Sequence, residues 1–290
     1  MKNILVTGAT GNVGIEIIKF LSRRKKSTYN IVAGVRDVAK GKRTLRDYED
    51  IDFIQFDFED TSTFEKALEQ AQRVFLLRPP HLADVEKYFK PLVLQMKSSE
   101  VSEVVFLSVQ GAEKSAVIPH NKIEKLIKEV KLNYVFLRPS YFMQNLTTTL
   151  IRDIQEKREI VLPAGKAKFN WVDAENIGEV GAILLENFED YQNQALEITG
   201  YENKDFYEVT DVINQTLQNP IEYKSVNPFR FYFIKKKEGV PTAKIFVMVF
   251  LHFLPRFQKP PQISDLYEQL TGKKPTTVAA FVQREQNLLK

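Results

Sequence analysis

Gly8, Gly11 and Gly14 stand at intervals of three directly behind a short apolar run, Ile4-Leu5-Val6. That run is too short for a helix and suits a buried strand. Behind the glycines an apolar pattern at helical spacing begins, with Val13, Ile17, Ile18, Phe20 and Leu21. Strand, glycine turn and helix in this order form the geometry that holds the pyrophosphate of a dinucleotide. Gly8 permits the tight turn, Gly11 the close approach of backbone to phosphate, and Gly14 the close packing of helix on strand. The phosphates sit on the open N–H groups and the positive end of the helix. Gly8, Ala9, Thr10, Gly11, Asn12, Val13 and Gly14 are therefore candidate cofactor-binding residues.

Other chemistries are narrowed by composition. The 290 residues include no cysteine, which removes disulfides, thiolate nucleophiles and cysteine-based metal sites. Three scattered histidines make no metal set, and none is expected. A net charge of +4 is too mild to argue for nucleic acid. The runs Arg23-Arg24-Lys25-Lys26 and Lys235-Lys236-Lys237 read as solvated faces. The chain enters a strand at once, without a signal peptide, so a cytoplasmic location is expected. Ile245 to Leu254, the most apolar stretch, is about half a membrane span. His252 interrupts it and Pro255 stops it, so a buried or amphipathic helix is expected and no membrane partner.

Strands and helices alternate through the first half. Strands are expected at Asn30–Val35, Ile51–Phe56, Val74–Leu77, Val104–Leu107 and Tyr134–Leu137. Helices are expected at Thr61–Ala71, capped by Thr61, and at Leu82–Lys97 and His120–Val130. This alternation predicts an α/β fold with a doubly wound parallel sheet, the Rossmann architecture. Ligands of such sheets bind beyond the carboxyl ends of the strands. The candidates there are Arg36, Asp57 and Phe58, then Leu77, Arg78 and Pro79, then Ser108, Val109 and Gln110, and finally Pro139, Ser140 and Tyr141.

After Pro139 the rhythm changes. A helix is expected over Tyr141–Lys157, a hairpin over Ile160–Trp171 and a helix over Asp173–Asn187. A strand at Ala195–Thr199 precedes helices near Phe206–Leu217, Phe229–Lys237, Thr242–Phe253, Ile263–Leu270 and Thr277–Gln286. Residues 1–139 are read as the dinucleotide-binding core, with 167–200 returning to it. Residues 140–166 and 201–290 make a smaller, mostly helical substrate lobe, which packs over the sheet's carboxyl edge within one structural unit.

Taken in order, several segments resemble one family. They are Thr7-Gly8-Ala9-Thr10-Gly11-Asn12-Val13-Gly14, Val35-Arg36, Phe75-Leu76-Leu77-Arg78-Pro79-Pro80 and Val105-Phe106-Leu107-Ser108-Val109-Gln110-Gly111. They continue with His120 and Ile123-Glu124, Leu137-Arg138-Pro139-Ser140-Tyr141-Phe142-Met143-Gln144-Asn145, and Trp171-Val172-Asp173. Over roughly residues 1–185 the chain resembles the NmrA-like group of atypical short-chain dehydrogenases. That group holds NADPH quinone oxidoreductases, triphenylmethane reductases and a fungal regulator that binds the dinucleotide without known turnover. The resemblance implies an NADP(H)-binding oxidoreductase, with NAD(H) weaker, that passes hydride to a small planar apolar acceptor such as a quinone. The alternative it leaves open is a non-catalytic sensor acting through a protein partner. It also leaves open a homodimer.

The departure from typical short-chain dehydrogenases concerns proton transfer. Those enzymes use Tyr-x-x-x-Lys, which a helix places on one face. The only such spacing here is Tyr232 with Lys236, far from strand five. The expected helix carries His120 and Glu124 at i and i+4 instead. His120 and Ser108 are thus the candidate catalytic residues, with His120 offering a charge change near neutral pH. Helix-cap and turn-hydroxyl roles remain their plain alternatives. Arg36 is placed to clamp the 2′-phosphate of NADP, whereas an acid there would favour NAD; Asp37 comes one residue late. Asp57 could accept from the adenine amino group or merely close a turn. Phe142, Asn145 and Trp171 are the candidate substrate contacts. Tyr141 and the Phe229–Phe233 run could line the same pocket, although core packing is the commoner fate of such rings.

Overall fold

The computed structural model describes residues 2–24, 29–69 and 71–290, so Lys25 and Lys26 of the first basic run lie outside the described residues. The chain opens as β1 (Lys2–Thr7), α1 (Asn12–Arg24), β2 (Tyr29–Val35), α2 (Val38–Thr44), β3 (Ile51–Gln55) and α3 (Phe64–Leu68). It continues through β4 (Arg73–Leu77), α4 (Val85–Ser98), β5 (Glu103–Leu107), α5 (Pro119–Glu129) and β6 (Asn133–Pro139). After β7 (Tyr141–Phe142), β8 (Glu159–Leu162) and β9 (Phe169–Val172) come α6 (Ala174–Glu186), α7 (Phe188–Tyr191) and β10 (Gln194–Ile198). The remainder holds β11 (Asn203–Lys204), α8 (Phe206–Thr216), β12 (Glu222–Ser225), α9 (Pro228–Lys237), α10 (Thr242–Phe253), α11 (Leu266–Thr271) and α12 (Val278–Leu289).

Two compact units result. The first comprises Met1–Pro139, Ala174–Ile198 and Gln269–Gly272, the second Ser140–Asp173, Thr199–Glu268 and Lys273–Lys290. The first unit is built on a seven-stranded sheet in the order β3-β2-β1-β4-β5-β6-β10. Every pairing in it is parallel. Its central strands read as unbroken apolar runs because both faces are covered. Ile4, Leu5 and Val6 of β1 and Val74, Phe75 and Leu76 of β4 are all buried. One face carries α3, α4 and α5, whose Phe64, Phe89, Leu92, Ile123 and Ile127 meet Leu5, Val74 and Phe106. The sheet order reverses between β1 and β4, and a doubly wound sheet binds its ligand at the carboxyl end of that junction. The strands expected from sequence are present with boundaries moved by a residue or two. Thr61 does not cap the segment that follows; Asp60 does, accepting from the Ser62 N–H.

The second unit has its own core, in which Leu146, Ile154, Phe169, Trp171, Phe206, Phe231, Ile245 and Phe281 come together. The helix expected over Tyr141–Lys157 is not continuous. Tyr141 and Phe142 form β7, a 3-10 turn covers Met143–Asn145, and a π-helical turn covers Asp153–Lys157. Leu146, Leu150 and Ile154 are buried at the helical spacing that prompted the expectation. The β-branched run Thr147-Thr148-Thr149 between them resists a regular α-helix. The expected hairpin is also absent. β8 pairs in parallel with β12, and β9 pairs with β7 and β11. Partners distant in sequence, not the turn at Pro163–Gly165, decide where these strands lie.

The second basic run is not a uniform solvated face. Lys236 and Lys237 are exposed, but Lys235 is buried and bonded to the buried Asp153 and to Glu238. Burial alone would raise the Asp153 pKa; the hydrogen bonds from Lys157 and Lys235 outweigh it and hold the carboxyl below its ordinary range. Among the described residues no helix is long and apolar enough to cross a membrane.

Candidate functional site

At the end of β1 the chain turns through Gly8, whose φ of 60° lies in the left-handed region that L side chains avoid. A Cβ there would also meet Leu77 Cδ2 at 2.6 Å. The Gly11 N–H donates to Gly8 O at 2.9 Å and closes the turn. A Cβ on Gly14 would fall onto the Gly8 carbonyl, so only glycine lets α1 start this close to the strand. Gly11 differs. Its Cβ position faces open space apart from Gly8 O at 3.2 Å. Thr10, Gly11 and Asn12 are exposed, and the opening N–H groups of α1 have no acceptor within the helix. The turn therefore presents donors and a positive dipole end to solvent, a donor set that fits a pyrophosphate. Thr7, whose type attracted no role from sequence, fixes the floor. Its hydroxyl donates to Phe75 O at 2.9 Å and accepts the Leu77 N–H at 3.2 Å, tying the carboxyl ends of β1 and β4 together.

Arg36 follows β2 directly and is exposed. Among the described residues it has no hydrogen bond or ion pair. Asp37, the acid that came one residue late, is engaged otherwise: its carboxylate caps α2 by accepting from the Lys40 N–H at 2.9 Å. A guanidinium, and not a carboxylate, is thus the side chain left open at the end of β2. Beyond β3, the Asp57 carboxylate accepts the Glu59 N–H at 3.0 Å, which is the turn-closing role. Phe58 packs among Phe56 and Phe89, so only its backbone can meet a ligand.

Beyond β4, the Arg78 Nη1 donates to the carbonyls of Pro79, Pro80 and Leu82 at 2.9–3.2 Å. Its Nε donates to His120 Nε2 at 3.4 Å. His120 sits in the first turn of α5 with its ring 6.2 Å from that of Phe106. Burial, with the Arg78 charge beside it, pushes the His120 pKa down to about 3. The expected charge change near neutral pH is therefore absent: His120 is a neutral imidazole whose Nε2 accepts. Nor does His120 pair with Glu124. That carboxylate turns inward, where Oε1 accepts the Ser108 hydroxyl at 2.6 Å and the Arg138 Nε at 2.9 Å, while Oε2 accepts Arg138 Nη2 at 2.6 Å. Arg138 Nη1 reaches Glu113 at 2.6 Å. Ser108 is 2% exposed and its proton is held by Glu124, so the structure makes it a linking hydroxyl.

This Ser108–Glu124–Arg138–Glu113 network locks the ends of β5 and β6 to α5. The Ser108 and Gln110 N–H groups extend the lock by donating to Leu137 O and Pro139 O, each at 2.8 Å. Gln110 Nε2 also donates to Glu197 on β10 at 2.9 Å. Val109 is half-buried and Pro139 buried. The network escaped the sequence reading. Its one local signal was Arg138, a charged residue closing an otherwise apolar strand.

In the second unit, Ser140 is buried and donates to Asn170 Oδ1 at 2.6 Å. Tyr141 lies among Phe169, Trp171 and Phe206, and its hydroxyl bonds His252 Nε2 at 3.0 Å. His252 Nδ1 is 2.7 Å from Met248 O, which makes Nδ1 the donor there and leaves Nε2 to accept from Tyr141. Burial pushes the Tyr141 pKa up and the His252 pKa down to about 4, so both stay neutral. Trp171 is corrected: it is fully buried, its indole N–H donates to Lys204 O at 3.0 Å, and it has no surface for a substrate. Phe142 and Asn145 are half-buried and keep accessible surface. Tyr232 and Lys236 lie on α9, far in sequence from the carboxyl end of β5. Among the described residues no cluster of His, Asp and Glu suits a metal ion.

Comparison with known proteins places these features in context. Prestalk A differentiation protein A of Dictyostelium discoideum is 29% identical over 281 residues, covering 97% of this chain and 91% of that protein. An NAD(P)H azoreductase of Xenophilus azovorans is 25% identical over 284 residues, covering 97% and 96%. The structure of an NADPH-dependent quinone oxidoreductase from Escherichia coli, complexed with NADPH, superposes with a TM-score of 0.86 at 19% identity, covering 98% of this chain and 100% of that one. A model of the NmrA-like family matches residues 1–281, and with the glycine turn, the sheet order and the strand-end motifs all in place, the chain belongs to that family.

Proposed function

We propose that this protein binds NADP(H) at the glycine turn and uses it to reduce a planar apolar acceptor such as a quinone or an azo dye. The observation that carries the reading is the open cradle at Gly11, at the start of α1 and at the sheet's reversal point, with an exposed Arg36, unpaired among the described residues, at the neighbouring strand end. In this reading residues 8–14 hold the pyrophosphate and Arg36 the 2′-phosphate, which a planar guanidinium meets with charge-assisted hydrogen bonds. Asp57 and the backbone of Phe58 border the adenine. Leu77, Arg78, Pro79, Ser108, Val109 and Gln110 border the nicotinamide half. The azoreductase and quinone oxidoreductase named above support a reductase and an NADPH-type cofactor.

When bound, the cofactor supplies the hydride; the chain supplies position. His120, neutral and held by Arg78, acts as a fixed hydrogen-bonding group and not as a titrating acid. The Ser108 hydroxyl donates its hydrogen bond to Glu124. The reading therefore favours acceptors that take their proton from solvent over carbonyl–alcohol interconversion. Phe142 and Asn145 retain the accessible surface an acceptor contact needs.

The engaged Ser108 hydroxyl also suits a second reading, a dinucleotide sensor without turnover. NADPH oxidation measured against a panel of quinones, azo dyes and aldehydes separates the two. The reductase reading expects turnover with quinones or dyes and little with aldehydes. Tight NADPH binding with no oxidation by any acceptor would replace it with the sensor.

A further inference from the structure

Two helices of the second unit carry an apolar face that the fold does not use. On α10, Ile245, Met248 and His252 recur at i, i+3 and i+7 and are buried. Phe246, Val247, Phe250 and Leu251 occupy the opposite face and are 45–64% exposed. On α9, Phe229 and Phe233 stand one turn apart at 80% and 68% exposed. The two helices pack together, with the rings of Tyr232 and Phe246 5.9 Å apart, so both sets belong to one patch. Apolar patches of this kind mark contact sites.

The charge around the patch identifies the partner. Between Pro228 and Lys259 the sequence holds seven basic residues and one acid, Glu238, in a chain whose net charge is only +4. Glu238 is already held by Lys157 and Lys235. Arg230, Lys236, Lys237, Lys244, Arg256 and Lys259 are exposed, and among the described residues none of them pairs with a carboxylate. A second copy of this chain would bring the same cations against themselves across a two-fold axis. An anionic lipid surface complements both features: aromatic rings enter the interface while the Lys and Arg heads stay at the phosphates.

We propose that the α9–α10 face docks the protein on anionic lipid membranes, peripherally and without a spanning segment. The expectation of no membrane partner rests on the length of the apolar stretch, which decides spanning and is silent on surface docking. The proposal stands independently of the reductase reading, although an apolar acceptor would concentrate in the same lipid phase.

The test is co-sedimentation of the full chain with vesicles of phosphatidylcholine alone or mixed with phosphatidylglycerol. The protein is expected to pellet with the mixed vesicles at low salt, at least about tenfold more weakly with phosphatidylcholine, and to be released as salt shortens the Debye length. Each basic residue near such a surface is worth about 1 kcal/mol, or roughly fivefold, so Lys236→Glu with Lys237→Glu should weaken binding at least about 30-fold. Phe246→Ser with Phe250→Ser, both at exposed positions, should also release the protein while its circular dichroism is unchanged. Protein left in the supernatant with both vesicle types at low salt overturns the proposal, as does vesicle binding that neither variant pair weakens. Sedimentation velocity without lipid gives a third outcome: a dimer that Phe246→Ser with Phe250→Ser converts to monomer would assign the face to a second copy and overturn the proposal.

Discussion

Removing the Glu124 carboxylate should loosen the end of the sheet where the nicotinamide half is proposed to lie. Glu124 is 3% exposed and accepts three hydrogen bonds, two of them from the buried Arg138. Breaking a buried pair by deleting one partner costs about 3–5 kcal/mol, because the remaining charge stays desolvated. Here Arg138 keeps Glu113, whose side chain is 44% exposed, so the lower end applies. Glu124→Ala is therefore expected to destabilise by about 3 kcal/mol. At about 2–4 °C per kcal/mol, the thermal midpoint should fall by roughly 6–12 °C. The assay is thermal unfolding followed by circular dichroism. Glu124→Leu combined with Arg138→Met removes both charges and should recover most of the loss. A midpoint for Glu124→Ala within about 2 °C of the parent, under about 1 kcal/mol, would refute the account of this network as a lock on β5, α5 and β6.

Gly11→Val should abolish NADPH binding in calorimetry while the protein remains folded, since its side chain enters open space where the phosphates must approach. Gly14→Ala should instead lower the thermal midpoint, because its Cβ falls on the Gly8 carbonyl; a fully stable Gly14→Ala protein would contradict the close start of α1. Stability should be complete above pH 6.5 and decline as the pH falls toward 4, read as the urea midpoint. The unfolded chain binds protons on His120 and His252 near the ordinary value of 6.5, whereas the folded chain binds them only near 3 and 4. For the same reason the pH–rate profile of any accepted substrate should show no inflection near neutrality that His120→Asn removes; such an inflection would restore His120 as a proton switch.

What could be read from sequence was local chemistry. The glycine turn declares itself because its glycines stand at a fixed spacing between an apolar strand and an apolar-patterned helix, and Gly14 answers a requirement set by Gly8, six places away; the strands declare themselves because both faces of a parallel sheet are apolar. The Ser108–Glu124 and Arg138–Glu124 bonds join residues 16 and 14 apart on different elements, and Arg78 meets His120 across 42. No local pattern encodes such pairs. His120 and Glu124 stood at a spacing that suggested a partnership, yet the carboxylate faces the sheet and the imidazole faces Arg78. Lys235 reads in sequence as part of a solvated run, but its partner Asp153 lies 82 residues earlier. Trp171 departs in the other direction: it stands in a family motif, yet it is fully buried and belongs to the core, the commoner fate of such rings.

The proposed function puts NADPH at the glycine turn with Arg36 on the 2′-phosphate. Calorimetric titration of NADPH and NADH into the native protein and Arg36→Ala tests it most directly. A charge-assisted hydrogen bond is worth about 1.5–3 kcal/mol, so NADPH should bind the native protein at least about tenfold tighter than NADH. Arg36→Ala should erase most of that gap by weakening NADPH alone, with Lys40 and Arg43 on the following exposed segment retaining a small remainder. Equal affinities in the native protein, or a gap that survives Arg36→Ala in full, would contradict the assignment.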